Sequence, residues 1–195
     1  MNVLYLLFVG WIAAMTTPVV ADAPVPNVVL LVRLPAQTQV IDALEARRQT
    51  ARAAAVRNER DEKNATWMNA FRTQFDFCPV YFFYADDSPR VRDQAWGEVA
   101  FLDGTPGLDT LEAARILTAE VRARRAAHNA GNAHTPSSSD ATFEALRLMD
   151  HQFQPMPHPA PRRVRIFKNF LPFRRKPEEI VSMLNTLVAQ WWRQQ

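Results

Sequence analysis

Residues 75–89, FDFCPVYFFYADDSP, decide how this chain folds. An aromatic, apolar run that halts at turn chemistry is the pattern of a buried strand delivering polar groups to its end. Pro79–Ala85 is read as that strand, closed by Asp86 and Asp87. Ser88 before Pro89 has the form of a helix N-cap with proline at the first helical position, opening a short helix to about Ala95. Gly97 resets the chain, and Glu98–Leu102 is read as a third short strand ending at Asp103-Gly104.

Upstream, Asn27–Leu34 (NVVLLVRL) is almost entirely apolar and β-branched, as expected of a central strand covered on both faces. Pro35 ends it, and Thr38 is placed to cap the helical stretch after it. From Gln39 to Phe75 the pattern is helical, with Val40, Ile41 and Leu44 at its start and Trp67, Phe71 and Phe75 recurring every fourth residue. Arg57–Asn64 between them is wholly polar. Arg57 with Asp61 and Glu59 with Lys63 are spaced as i,i+4 ion pairs on a solvated face. One long helix, or two with a break near Asn58–Asn64, fits this stretch.

Downstream the periodicity is weaker. Residues 110–125 read equally as helix (Leu111, Ala114, Leu117, Val121) or as strand over Ile116–Arg122. A small, polar, breaker-rich tract at about 123–142 reads as a flexible loop. Phe143–Met149 admits helix or strand, Val164–Lys168 reads as a late strand, and the prolines at 155, 157, 159 and 161 keep the chain between them extended. Pro177, Glu178 and Glu179 open a final helix, with the glutamates at the positive end of its dipole. Its expected buried stripe is Ile180, Leu184, Leu187, Val188 and Trp191. Strands alternating with helices in this order predict an α/β fold: one domain, with a mixed central sheet and flanking helices.

The first residues predict export. Val3–Met15 is an uncharged apolar run of signal-peptide length, broken by Thr16, Thr17 and Pro18, with Val19-Val20-Ala21 offering a cleavage site. Residues 1–21 are therefore expected to be a signal peptide and 22–195 the folded domain. With no cysteine near that site a lipoprotein is not expected, and no transmembrane span is expected after processing. The destination is the periplasm or cell envelope.

Charge excludes one broad class. The net charge is only +3, so the molecule as a whole is not built as a polyanion sponge, and nucleic acid is not an expected partner. The basic residues are nonetheless uneven: Arg162, Arg163, Arg165, Lys168, Arg174, Arg175 and Lys176 crowd together without an acid among them. Arg174 and Arg175 are ligand-binding candidates for an envelope protein or an anionic surface. The competing reading is a strand with solvated outer positions and a basic loop.

Chemistry-bearing residues are few. Cys78, the one cysteine, has no basic neighbour or second thiol to activate it and reads as buried and structural. Asp86, Asp87 and Asp103 are the catalytic candidates, because strand carboxyl ends are where α/β sheets bind ligands. Clustered there, they suit a general base or a hard cation. The plainer reading gives Asp87 and Ser88 to helix capping and Asp103-Gly104 to a turn. Ser88 is also a ligand-binding candidate, as is Trp192, because one member of the Trp191-Trp192 pair must leave the apolar stripe. The histidines, His128, His134, His151 and His158, lack metal-ligand spacing. No metal and no cofactor is expected. Asn64-Ala65-Thr66 matches a glycosylation sequon.

The run FDFCPVYFFYADDS, with NVVLLVRLP before it and LPFRRKPEEIVSMLNTL near the end, resembles a family of uncharacterised exported proteins common in Bacteroidota. The resemblance covers most of the chain after the leader and implies that FEALRLMDH, from Phe143, is a strand ending in an Asp turn. It brings no activity and no site residue. The expectation is an exported binding or interaction protein without catalysis; the alternative is a metal-dependent or acid/base hydrolase-like enzyme working from the three aspartates.

Overall fold

The structure, a computed structural model, describes residues 27–104, 115–125, 142–166 and 175–195. The expected signal peptide (residues 1–21), most of the 123–142 tract, Lys168 and Arg174 lie outside the described residues. Strand β1 (Val28–Leu34) leads through helices α1 (Thr38–Ala46) and α2 (Thr50–Gln74) to β2 (Val80–Tyr84). A 3-10 turn and α3 (Ser88–Arg92) come next, then β3 (Arg115–Arg125), β4 (Thr142–Asp150), β5 (Arg163–Ile166) and the last helix, α4 (Pro177–Trp192). The five strands form one sheet in the order β2-β1-β3-β4-β5. β2, β1 and β3 run parallel, whereas β4 and β5 are antiparallel additions. The mixed α/β sheet with flanking helices is the expected fold class.

Alternation along β1 divides the core in two, since successive strand residues face opposite sides of the sheet. Val28, Leu30, Val32 and Leu34 face α2 and α4, packing with Phe71, Phe75, Phe82, Leu117, Leu146, Ile180 and Leu184. Val29 and Leu31 face the other way and pack with Phe83, Val91, Trp96, Val99 and Ile116. The first face thus carries the long helices, and the second is covered over β1 and β2 by α3 and the turn after it.

Several boundaries differ from expectation. The break in the helical stretch falls at residues 47–49, and α2 runs unbroken through the polar Arg57–Asn64 segment. Arg48 takes the left-handed conformation there (φ 57°). Its N–H donates to Glu45 and that of Gln49 to Leu44, the two reverse bonds of a Schellman stop. Arg57 pairs with Glu45 of α1 rather than with Asp61, which tethers the two helices across the break; Lys63 does pair with Glu59. Thr38 is the first helical residue, and the cap position belongs to left-handed Gln37.

Glu98–Leu102 is not a sheet strand. Trp96–Glu98 is a 3-10 turn, and Phe101 makes one isolated antiparallel bridge to Phe83. The third parallel strand is β3, which resolves the 110–125 ambiguity as strand from Arg115 onward. On α4, Val181 joins the buried stripe in place of Leu187, which is exposed.

Cys78 is buried against the first-face core, and desolvation pushes its thiol up to about 12. A proton held more tightly in the folded state leaves stability intact below about pH 9, the thiol's ordinary value. Stability is then lost as pH rises from there towards 12, because only the unfolded chain ionises freely in that window. Cys78→Ala should therefore show a flatter fall in unfolding free energy across that window than the wild type. At neutral pH the native thiol should resist alkylating reagents and react on denaturation.

Candidate functional site

The carboxyl ends of β1 and β3 form a switch point: the chain leaves β1 towards β2 on one side and leaves β3 towards β4 on the other. Switch points are where open α/β sheets place ligands. The loop leaving β1 is fixed from α2, whose Arg60 Nη1 donates to the Ala36 carbonyl (3.0 Å) and whose Asn64 Nδ2 donates to that of Pro35 (3.1 Å). Arg60 also lies over the Tyr84 ring at the end of β2. This use of Asn64 buries it, so the sequon asparagine is not presented as a glycan acceptor.

The three aspartates are each committed to a different element. Asp86 accepts a 2.5 Å hydrogen bond from the Thr38 hydroxyl, tying the end of β2 to the start of α1. Asp87 is buried, pairs with Arg90 of α3 and accepts the backbone N–H of Ala100 (3.2 Å). Asp103 pairs with Arg72 of α2 at 2.8 Å. Asp103 closes no sheet strand, so it does not share the carboxyl edge with the others. Among the described residues no three His, Cys, Asp or Glu side chains form a group able to hold a metal ion.

Ser88 is buried, and its hydroxyl donates to the Ala85 carbonyl. It closes the turn rather than capping from outside the helix. Trp192 lies half-buried at the core margin, 6.0 Å from Phe77 and 5.8 Å from Trp191 by ring centroids. The Arg115 guanidinium sits over both tryptophans. Arg175 is half-buried just ahead of α4.

A different constellation occupies the switch point. Arg33, the penultimate residue of β1, stands directly opposite Glu120 of β3, and Glu120 stands opposite Arg147 of β4. Arg147 is in turn opposite Arg163 of β5. Directly paired residues share a face, so these four side chains form one row across the second face. Arg122 and Arg165 lie two residues further along, flanking Ala145.

Glu120 is the centre of this row. Its Oε2 accepts a 2.8 Å bond from Arg33 Nη1, while Oε1 lies 3.8 Å from Arg122 and 3.9 Å from Arg147. The carboxylate is buried, with 8% of its side chain exposed, whereas Arg122 is 64% exposed. Arg33 Nε is buried without a hydrogen-bond partner. The Arg33 guanidinium also lies over the Phe153 ring at 5.1 Å, and that of Arg92 lies over the same ring at 5.8 Å.

Phe153 is held for this purpose by a tight turn after β4. Asp150 Oδ1 accepts the N–H groups of Gln152 and Gln154, and the Phe153 N–H donates to the Asp150 carbonyl. Phe153 adopts φ 60°, a left-handed conformation that costs a bulky L-residue roughly 1–2 kcal/mol. The Asp150 bonds over-determine the turn and sustain that conformation.

The arginine row escaped the sequence reading, although one signal for it was present. Arg33 is the only charge in Asn27–Leu34, and a charge in a strand covered on both faces must sit at an edge or meet a partner. Which partner depends on a register between β1 and β3 that local sequence does not encode.

No protein-family model, curated protein or solved structure matches the chain, and the functional reading rests on this geometry.

Proposed function

We propose that this protein is an exported, non-catalytic binding protein of the periplasm or cell envelope, engaging an anionic partner through the arginine-bearing second face of its sheet. One observation carries the reading: a single buried carboxylate, Glu120, is surrounded by three guanidiniums. A structural ion pair needs one arginine. Among the described residues the two further positive charges of that cluster have no matching carboxylate, and Arg163 and Arg165 beside it are exposed. Arginines on adjacent strands are set at a fixed backbone spacing and supply charge-assisted bonds to an oxyanion.

Export is supported by the apolar run at Val3–Met15. Among the described residues no helix is long and apolar enough to cross a membrane. The absence of catalysis is supported by the separate structural tethers made by Asp86, Asp87 and Asp103. The basic run from Arg162 to Lys176 contributes through Arg163 and Arg165, which the antiparallel pairing with β4 brings onto the same face as Arg147.

Elution from a sulfonate cation exchanger tests this reading. Arg163→Gln/Arg165→Gln should elute at markedly lower salt than the wild type. Arg47→Gln/Arg193→Gln, at exposed positions on α1's end and α4's end, imposes the same charge change away from the face and should shift elution much less. Equal shifts would reduce the effect to net charge and overturn the proposal.

A further inference from the structure

We infer that the second face takes a linear acidic polysaccharide, a polymer of uronate-type sugars, laid across β1, β3, β4 and β5. This inference rests on the anion-binding reading above and names its ligand class. Arg33, Arg147 and Arg163 lie in one row, with Arg122 and Arg165 in the next. Strands are spaced about 4.8 Å apart, so the row from Arg33 to Arg163 spans roughly 14 Å. That length exceeds one small oxyanion and suits several anionic groups on one chain.

The exposure of the face points the same way. Small ligands need a concave site that buries most of their surface. Here the side chains of Arg122, Arg163 and Arg165 are exposed. A polymer gains affinity from many weak contacts in series and needs no enclosure.

The row already holds one carboxylate: Glu120 sits on Arg33 as a polymer carboxylate would sit on Arg147 or Arg163. A stiff sugar chain carries its carboxylates at a fixed repeat and loses little freedom on docking to a rigid sheet. An acidic peptide must be ordered at the moment of binding. Nucleic acid on a sheet face needs aromatic platforms for its bases. Phe153, the ring placed beside the row, already lies under two guanidiniums. An anionic membrane surface would want apolar anchors beside the arginines. Among the described residues the exposed large apolar side chains, Val40, Met183 and Leu187, lie on α1 and α4, and α4 packs against the opposite face.

The test is equilibrium binding of the purified protein to fluorescently labelled polygalacturonate fractions of increasing length. Galacturonic acid, polyglutamate, single-stranded RNA and phosphatidylglycerol vesicles serve as competitors. Affinity should rise about 100-fold or more from monomer to polymer and level off once the row is spanned. Polyglutamate matched in carboxylate number should compete less well than polygalacturonate. Arg163→Ala/Arg165→Ala and, separately, Arg147→Ala should each weaken polymer binding by about tenfold or more while circular dichroism stays unchanged. Arg163 and Arg165 are exposed, so their variant tests binding rather than folding; Arg147 neighbours the buried Glu120 carboxylate, so Arg147→Ala is compared with the wild type under conditions where urea unfolding shows both fully folded. Monomer binding as tight as polymer, equal competition by polyglutamate, or better competition by RNA or vesicles would overturn the inference. Salt-dependent retention on sulfonate without binding to polygalacturonate would overturn the ligand class and leave the anion-binding reading standing. Loss of both would overturn the two together.

Discussion

Glu120→Gln is expected to lower stability and raise anion affinity in the same protein. The substitution keeps the side-chain volume and removes the charge that Arg33, Arg122 and Arg147 share. Breaking a buried ion pair costs about 3–5 kcal/mol because the remaining charge is left uncompensated. Arg33 is 28% and Arg147 30% exposed, so water recovers part of that, and a loss of about 2–3 kcal/mol is expected. Urea unfolding followed by tryptophan fluorescence measures it. The same change frees three guanidiniums from their internal competitor, so binding of an external polyanion should strengthen several-fold. A variant that loses stability and binds no better would mean that these arginines serve the fold alone. Combining Glu120→Gln with Arg33→Gln should cost less stability than the two single losses added, because the charge left behind by one is removed by the other.

Phe71→Ala is expected to be the most damaging single change in the first-face core. Phe71 is wholly buried and lies 6.0 Å from the Phe75 ring and 6.2 Å from Phe82, the latter edge-on. It therefore joins the end of α2 to β2. Truncating a buried phenylalanine costs about 3–5 kcal/mol, from lost apolar transfer and an unfilled cavity. Chemical denaturation should show that loss with little change in slope. A Trp192→Ala variant, at the half-exposed core margin, should lose distinctly less.

The architecture was legible where apolar patterning and turn chemistry agree. Asn27–Leu34, Pro79–Ala85 and the Pro177 helix all appear close to their expected limits, because burial on both faces or a proline start leaves few alternatives. The α1–α2 break was not legible. Left-handed positions usually carry glycine or asparagine, and here Gln37, Arg48, Gln94 and Phe153 occupy them, so no residue type marks the stops. Glu98–Leu102 reads as a strand because Val99 and Phe101 are apolar. In the fold, Val99 fills the second-face core from a turn, and Phe101 packs beside that core through a single bridge.

The candidate site was half legible. The sequence pointed to the carboxyl edge of the parallel strands, and the arginine row begins there. It pointed to Asp86, Asp87 and Asp103 because each follows a stretch that reads as a strand, and Asp103 closes none. The arginines come from β1, β3, β4 and β5 and meet only through strand register. Arg163 and Arg165 were visible as part of a basic run, without the pairing to β4 that sets them beside Arg147.

The salt dependence of polyanion binding tests the central claim most directly. Binding of a labelled polyglutamate to the wild type and to Arg163→Gln/Arg165→Gln is measured over a range of sodium chloride concentrations. Each arginine that neutralises a ligand charge contributes about one to the slope of log affinity against log salt. The double variant should bind more weakly, with a slope smaller by about two. Identical affinity and slope in the two proteins would contradict an arginine-bearing face that binds anions.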